Sequence, residues 1–266
     1  MTGYCVFCGQ MEDLHRQHVW PRWLRDAVPW GRELDTHVRH DSERTIVHQA
    51  PPFTRTVRAV CQVECNGGWM SQLENAAKAP LLAMILGEDR ILDEPMQRLI
   101  AFWALQTTLV FQCADRMKWV PASHYDELYA GRAIPKTTLP WRPLAKANVM
   151  LGAYRGSQRR AGFHPQPLEI TPSTPDSRLP KGSKAYGVTM NLGHLVIQLL
   201  AHDVKKLDFT LTPSIEGAVV PIWPSAVDPV QWPPSHWLDD AGLASMDTVF
   251  QHLGTTDLPP HPEGSV

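Results

Sequence analysis

Hydrophobic and polar positions follow three successive textures along the chain. Leu14–Leu24 (LHRQHVWPRWL) begins as a short extended piece, and Pro21 then forces a turn or opens a helix. Residues 26–54 read as an irregular insertion, with Pro29, Gly31, Pro51 and Pro52 punctuating polar sequence. Thr54–Val60 (TRTVRAV) is rich in β-branched residues and alternates in character, which predicts a strand running into Cys61. Trp69, Leu73, Ala76, Ala77 and Leu81 then recur at helical spacing behind Asn66, a candidate N-cap. Pro80 is expected to kink or divide this helix and Gly87 to end it. Asp93-Glu94-Pro95 opens a second helix that runs to about Cys113, with Leu99, Phe102, Trp103, Gln106 and Val110 on one broad apolar-rich face. A short helix over Ser123–Ala130 follows, with Ser123 as its cap.

From about residue 131 prolines become frequent and short extended segments take over: Ala147–Tyr154, Leu168–Ile170, Gly187–Met190 and Leu195–Leu200. The last two flank Asn191-Leu192-Gly193-His194 and predict a β-hairpin. After Val219 the Trp- and Pro-rich sequence (PIWP, VQWPP) suits an extended segment packing across the body. The residues from Leu258 onward are expected to be disordered. The fold class is therefore α+β. Its expected parts are residues 1–75, a helical region 76–140, a mixed strand-rich region 141–257 and a tail 258–266.

Composition narrows the options. The 266 residues are 43% hydrophobic, enough for a sizeable core, which excludes a disordered chain. The longest apolar run, Leu99–Cys113, is broken by Gln106, Thr107 and Thr108 and falls short of the roughly 20 residues that span a bilayer. The start MTGYCVFCGQ has neither the basic opening nor the apolar stretch of a signal peptide, so a cytoplasmic location is expected and no membrane partner. With 25 Lys+Arg against 27 Asp+Glu the chain is not a general polycation. A local basic patch stays open.

Four of the five cysteines come in close pairs, Cys5 with Cys8 and Cys61 with Cys65, while Cys113 stands alone in an apolar helical stretch. In a reducing compartment such pairs are more often metal ligands or redox groups than disulfides. Two tight turns can aim four thiolates at one tetrahedral zinc. CVFCG has the usual two-residue gap and a glycine that permits the turn, and the three-residue gap of CQVEC lies within the range of zinc ligands. Buried free thiols and a redox pair at Cys5/Cys8 are the competing readings, the latter opposed by the lack of a βαβ pattern. Cys113 reads as a small core residue.

The order of signals is knuckle, Arg16-Gln17-His18-Val19-Trp20-Pro21, strand, knuckle, Asn66-Gly67-Gly68-Trp69, helix. This order resembles the HNH, or His-Me finger, nuclease family, whose core is a ββα unit around a catalytic metal. In many of its members a separate structural zinc pins the two ends together. The run CVFCG…HVWPRWL…VCQVECNGGWMSQLE is similar to HNH-like proteins common in actinobacteria and their phages. The resemblance covers about residues 1–75, implying a zinc-stabilised ββα N-terminal module there. It implies Cys5, Cys8, Cys61 and Cys65 as structural Zn²⁺ ligands, His18 as general base, Asn66 as the residue orienting the loop or imidazole, and Glu74 as ligand of a catalytic Mg²⁺ or Mn²⁺. DNA is the implied partner and phosphodiester hydrolysis the implied activity, with Arg16 and Arg22 as candidate phosphate contacts, Arg25 beside them.

The chemistry is coherent with that implication. A neutral imidazole can take a proton from water near neutral pH, and a divalent ion can offset charge on a scissile phosphate. One departure matters. The family commonly has Asp, Glu or His before the base histidine, and this chain has Gln17, a neutral amide. Either His15, Glu74 or another acid compensates, or the module is a catalytically inactive nucleic-acid or protein binding unit. Trp20, Trp23 and Trp69 are expected to cover the knuckles and fill a small core.

Overall fold

A computed structural model describes residues 2–27, 35–40, 45–50, 53–115, 118–132, 141–157, 161–170, 183–204, 217–224 and 228–248, with backbone alone at 35–40, 45–50, 169–170, 183 and 247–248. Strands β1 (Thr2–Tyr4) and β2 (Met11–His18) precede a short helix, α1 (Arg22–Ala27), which Pro21 opens as expected. Strands β3 (Asp35–His40), β4 (Thr45–Ala50) and β5 (Thr56–Cys61) follow, then a π-helical segment Gln62–Met70 that leads into α2 (Ser71–Ile85). Next come β6 (Arg90–Leu92), α3 (Glu94–Gln112) and α4 (Ala122–Ala130). The chain continues through β7 (Ala147–Ala153), β8 (Ala161–Ile170), β9 (Ser183–Leu192), β10 (Leu195–His202), β11 (Val219–Trp223), β12 (Val230–Trp232) and α5 (Asp240–Thr248). The described chain is thus mixed α+β, with sheets β1-β2-β5, β11-β7-β10-β9-β8-β3-β4 and β12-β6. The tail from Leu258 lies outside the described residues.

The stretch 26–54 is not irregular throughout. β3 and β4 pair antiparallel from Asp35↔Ala50 to His40↔Thr45, and β3 joins β8 in parallel at Thr36↔Gly162 and His37↔Phe163. Polar sequence hid these strands because they extend a sheet built by residues far away in the chain. The parallel pairing stops where Pro165 and Pro167 enter β8; both lack the N–H a further partner would need, while β8 stays paired with β9 on its other side.

α3 is buried on all sides rather than on one face. Ile100 to Val110 are at most 3% exposed, and the helix touches α2, α4, β6, β10 and β11. Some of its polar groups are satisfied internally: Gln112 Oε1 accepts from the Trp119 and Val120 amides, both at 2.8 Å, and Thr108 donates to the Ala104 carbonyl, whereas Trp103 Nε1 is buried without a partner. Asp93 caps it through the Met96 amide at 2.9 Å, with Pro95 in the first turn. α4 begins one residue earlier than expected, at Ala122, with Pro121 and not Ser123 at the N-cap. α2 runs through Pro80 unbroken, held by the buried Leu73, Ala77, Leu81 and Met84.

Both faces of the sheet are covered at β10, which is buried along its whole length with Gln198 and His202 as its polar residues. Val149, Leu151, Val188 and Ile197 join the main core with α3, whereas Met150, Val196, Leu200 and Val219 form a second cluster with Leu238 and Met246. The main cluster is continuous from Cys5 and Trp20 to Trp232. Trp20 joins the N-terminal part to it, edge-on to Phe111 at 5.0 Å and to Phe163 at 6.4 Å.

The expected hairpin is β9–β10, closed with Leu192↔Leu195. Gly193 in its turn has φ +61°, and a Cβ there would lie 2.7 Å from the Ile85 carbonyl oxygen. That carbonyl, at the end of α2, accepts the His194 amide at 3.0 Å. Gly193→Ala is expected to cost about 1–3 kcal/mol from backbone strain and the clash, read as a lower denaturation midpoint with unchanged urea m-value.

Candidate metal centre and adjoining cleft

The first cysteine pair sits on the turn between β1 and β2. The Gly9 amide donates to the Cys5 carbonyl at 3.0 Å and the Cys5 amide to the Gln10 carbonyl at 2.9 Å. The second pair brackets the end of β5, where Cys61 faces Leu14 of β2. This pairing brings the two turns together: the Cys61 amide lies 3.4 Å from the Cys5 sulfur. Cys5 and Cys65 sulfurs are 3.7 Å apart, Cys8 and Cys61 sulfurs 3.6 Å, and all four lie within 4.8 Å of one another. Four sulfurs about 2.3 Å from a tetrahedral zinc would be separated by about 3.75 Å, so the cluster could hold a structural metal such as zinc.

Without a metal the clustered thiols hold their protons unequally. The hydrogen bond from Cys65 pulls the Cys5 thiol down to about 4, while burial pushes Cys61 up to about 12. Cys65 is also raised, first by its bond to Cys5 and then by burial. Phe7, between the first two cysteines, packs edge-on to Trp69 at 5.5 Å and to Tyr125 at 5.3 Å. Glu64, in the second turn, accepts from the Tyr129 hydroxyl at 2.7 Å and pairs with Arg132. Gly68 allows the wide turn that follows, since a Cβ there would come within 2.9 Å of the Val63 carbonyl oxygen. Cys113 stands apart beside Tyr125, its thiol raised to about 11 by burial.

A cleft of about 330 Å³ adjoins these turns. It gathers Arg16, Gln17 and His18 from the end of β2, and Pro21, Arg22 and Trp23 from the start of α1. Gln62 and Asn66 of the π-helical segment and Glu74 of α2 complete the lining. Neighbouring residues of a regular strand face opposite ways. Gln17 and His18 nevertheless share the cleft, at a point where β2 ends and the register with β5 slips, from His15↔Val60 to Gln17↔Val57.

His18 is half-buried and its Nδ1 has no hydrogen-bond partner. Burial lowers its pKa below the usual histidine range, with Arg22 and Arg25 adding to the shift and a hydrogen bond to the Phe53 backbone opposing it. Phe53 is buried and has φ 61°, an uncommon conformation for so bulky a residue. Gln17 is 4% exposed; its Nε2 donates to the His18 carbonyl at 3.0 Å, and its Oε1 is buried without a partner.

Asn66 does not cap α2. It lies inside the π-helical segment, Met70 occupies the N-cap, and the Asn66 amide donates to Gln62 Oε1 at 3.2 Å and makes no hydrogen bond with His18. His15 also departs from its suggested compensating role: it is exposed, lies outside the cleft lining, and its Nε2 is 3.4 Å from Asp13. Arg25 pairs with Asp26 at 2.8 Å, while Arg16 and Arg22 carry no ion pair among the described residues. Trp20 and Trp69 are core residues as expected, but Trp23 is only partly buried and forms part of the cleft wall. Its position just after Pro21 and Arg22 in α1 was the sequence signal.

Glu74 is the single acid lining the cleft, and burial pushes it up to about 7. Below about pH 4.5 both folded and unfolded chains carry it protonated. As pH rises to 7 only the unfolded chain ionises, so folding loses stability, and above 7 the loss is constant. Glu74→Gln is therefore expected to leave stability unchanged at pH 4 and to raise it by up to roughly 3 kcal/mol at pH 8, measured by urea denaturation at both pH values.

Among the described residues the four cysteines are the one group of three or more Cys, His, Asp or Glu placed to share an ion. No described helix is long and apolar enough to cross a membrane. Comparisons with protein-family models, with curated proteins and with solved structures found no match to this chain.

Proposed function

We propose that the chain is a zinc-stabilised HNH-type, or His-Me finger, endonuclease that hydrolyses DNA phosphodiester bonds. In this reading β2, β5 and α2 are the ββα unit and the four cysteines tie its ends together. One observation carries it: His18, Asn66 and Glu74, far apart in sequence, line a single cleft directly beside the cysteine cluster. Neutral His18 takes a proton from water as the water oxygen bonds to phosphorus and the phosphorus–oxygen ester bond breaks; the departing alkoxide is protonated from solvent. Arg16 and Arg22 face the phosphate. Asn66, bonded to Gln62, holds the π-helical segment as the cleft's edge.

A magnesium or manganese ion, when bound, would offset charge on the phosphate. Glu74 would hold it, with the amide oxygen of Gln17 as a neutral neighbour. Such ions are commonly held by one or two carboxylates together with waters and phosphate, so these residues fit a weakly held ion. A second reading is a catalytically inactive module that binds nucleic acid or protein; it is favoured by Gln17, which leaves one carboxylate in the cleft. Plasmid nicking with Mg²⁺, Mn²⁺ or no added divalent ion, run beside His18→Ala, separates the two. Metal-dependent nicking lost in the variant supports the enzyme, and equal cutting by the variant overturns it. No nicking with retained binding supports the second reading.

A further inference from the structure

The cleft joins two kinds of lining, the cationic Arg16 and Arg22 and the apolar Pro21 and Trp23. In a duplex the faces of the bases are stacked on one another, whereas an unpaired nucleotide can offer its base to an aromatic side chain. The wall beside Gln17 includes Trp23 and Pro21, an apolar surface of no use to a phosphate but suited to the face of a base. At about 330 Å³ the cleft lies at the small end of ligand pockets, on the scale of one nucleotide. The cations lining the cleft without an ion pair among the described residues are Arg16 and Arg22, and the chain's net charge is −2, a weak basis for tracking a duplex.

Resting on the reading of this cleft as a nucleic-acid site, we propose that it receives one unpaired nucleotide of single-stranded DNA, its base against Trp23 and the flanking phosphates on Arg16 and Arg22. Single strands bind in preference to duplex, and discrimination arises from the base and not from the backbone.

The test is fluorescence anisotropy without added Mg²⁺ or Mn²⁺ and without chelator, so that cleavage does not interfere, using the whole zinc-loaded chain. The probes are a labelled single-stranded hexamer, its duplex and an abasic hexamer. The single strand is expected to bind at least about tenfold tighter than the other two. Trp23→Ala is expected to weaken it about 5- to 100-fold, with Trp23→Phe restoring most of the loss and reporting that the fold is intact. Arg22→Ala is expected to reduce the slope of log affinity against log salt by about 0.7. Equal or tighter binding of duplex or abasic strand would overturn the proposal, as would a Trp23→Ala affinity matching the parent's. Base-dependent single-strand binding without nicking defeats only the hydrolase, whereas nicking without single-strand preference defeats only this inference.

Discussion

Cys61→Ser is expected to abolish stoichiometric zinc binding and to lower the melting temperature by roughly 10 °C or more, the size of shift that several kcal/mol produce in a chain of this length. The sulfur it removes lies 3.6 Å from Cys8 and belongs to a group whose spacing matches a tetrahedral site. Structural zinc contributes on the order of 10–16 kcal/mol in small peptides, comparable with the whole stability of a domain. Here the metal would hold a region with few other supports: β1 has three residues, and the π-helical segment is joined to the sheet through Cys61. The damage should be local, because Phe7, Trp20 and Trp69 also anchor this region to the main core. Hydrogen exchange should accelerate at residues 2–10 and 62–70 and much less in β9 and β10. Zinc loading should weaken as pH falls, since buried Cys61 and Cys65 are neutral without metal and must release protons to bind it. Elemental analysis that finds no zinc in protein purified reduced and without chelator would refute the assignment.

The cysteine arrangement was legible in the sequence because short-range spacing and turn residues encode it locally. Pro21 before α1, Asp93 before α3 and the Gly193 turn were legible for the same reason. What escaped depends on partners distant in the chain. The strand character of Asp35–His40 is drawn out by pairing with β8, which no window around residue 37 contains. α3 reads as one-sided because Gln97, Thr107, Thr108 and Gln112 are polar, yet it is buried on every side from Leu99 to Gln112, with Gln97 and Gln112 spent on backbone groups outside the helix. At the cleft, the family resemblance singled out His18 and Glu74, which both line it, but it did not set wall-forming Trp23 apart from core-forming Trp20; the one local signal was Trp23's place just after Pro21 and Arg22 in α1. Asn66 was misread as a cap because the π-helical segment, made possible by Gly67 and Gly68, moves the helix start to Ser71.

His18→Ala is expected to lower metal-dependent nicking by about 10²- to 10⁴-fold, the usual contribution of a positioned general base, with little loss of single-strand affinity. The pH profile gives a sharper criterion than the loss itself. The reactive form is the neutral imidazole, so activity should rise with pH through the His18 pKa. Burial, Arg22 and Arg25 hold that pKa below the usual 6.5, so the midpoint of this limb should lie below that of an ordinary histidine. Arg22→Ala removes one of the depressing charges and should move the limb upward, whereas a purely structural histidine would give no such displacement. Glu74 adds a second pH dependence of a different kind. Its carboxyl is raised to about 7, and proton and divalent ion would compete for it. The metal concentration needed for half-maximal nicking should therefore fall as pH rises from 6 to 8. In Glu74→Gln that dependence should vanish and the requirement stay high at every pH. A profile that ignores Arg22→Ala while the metal requirement still follows pH would leave Glu74 as a metal ligand but remove His18 from the role of base.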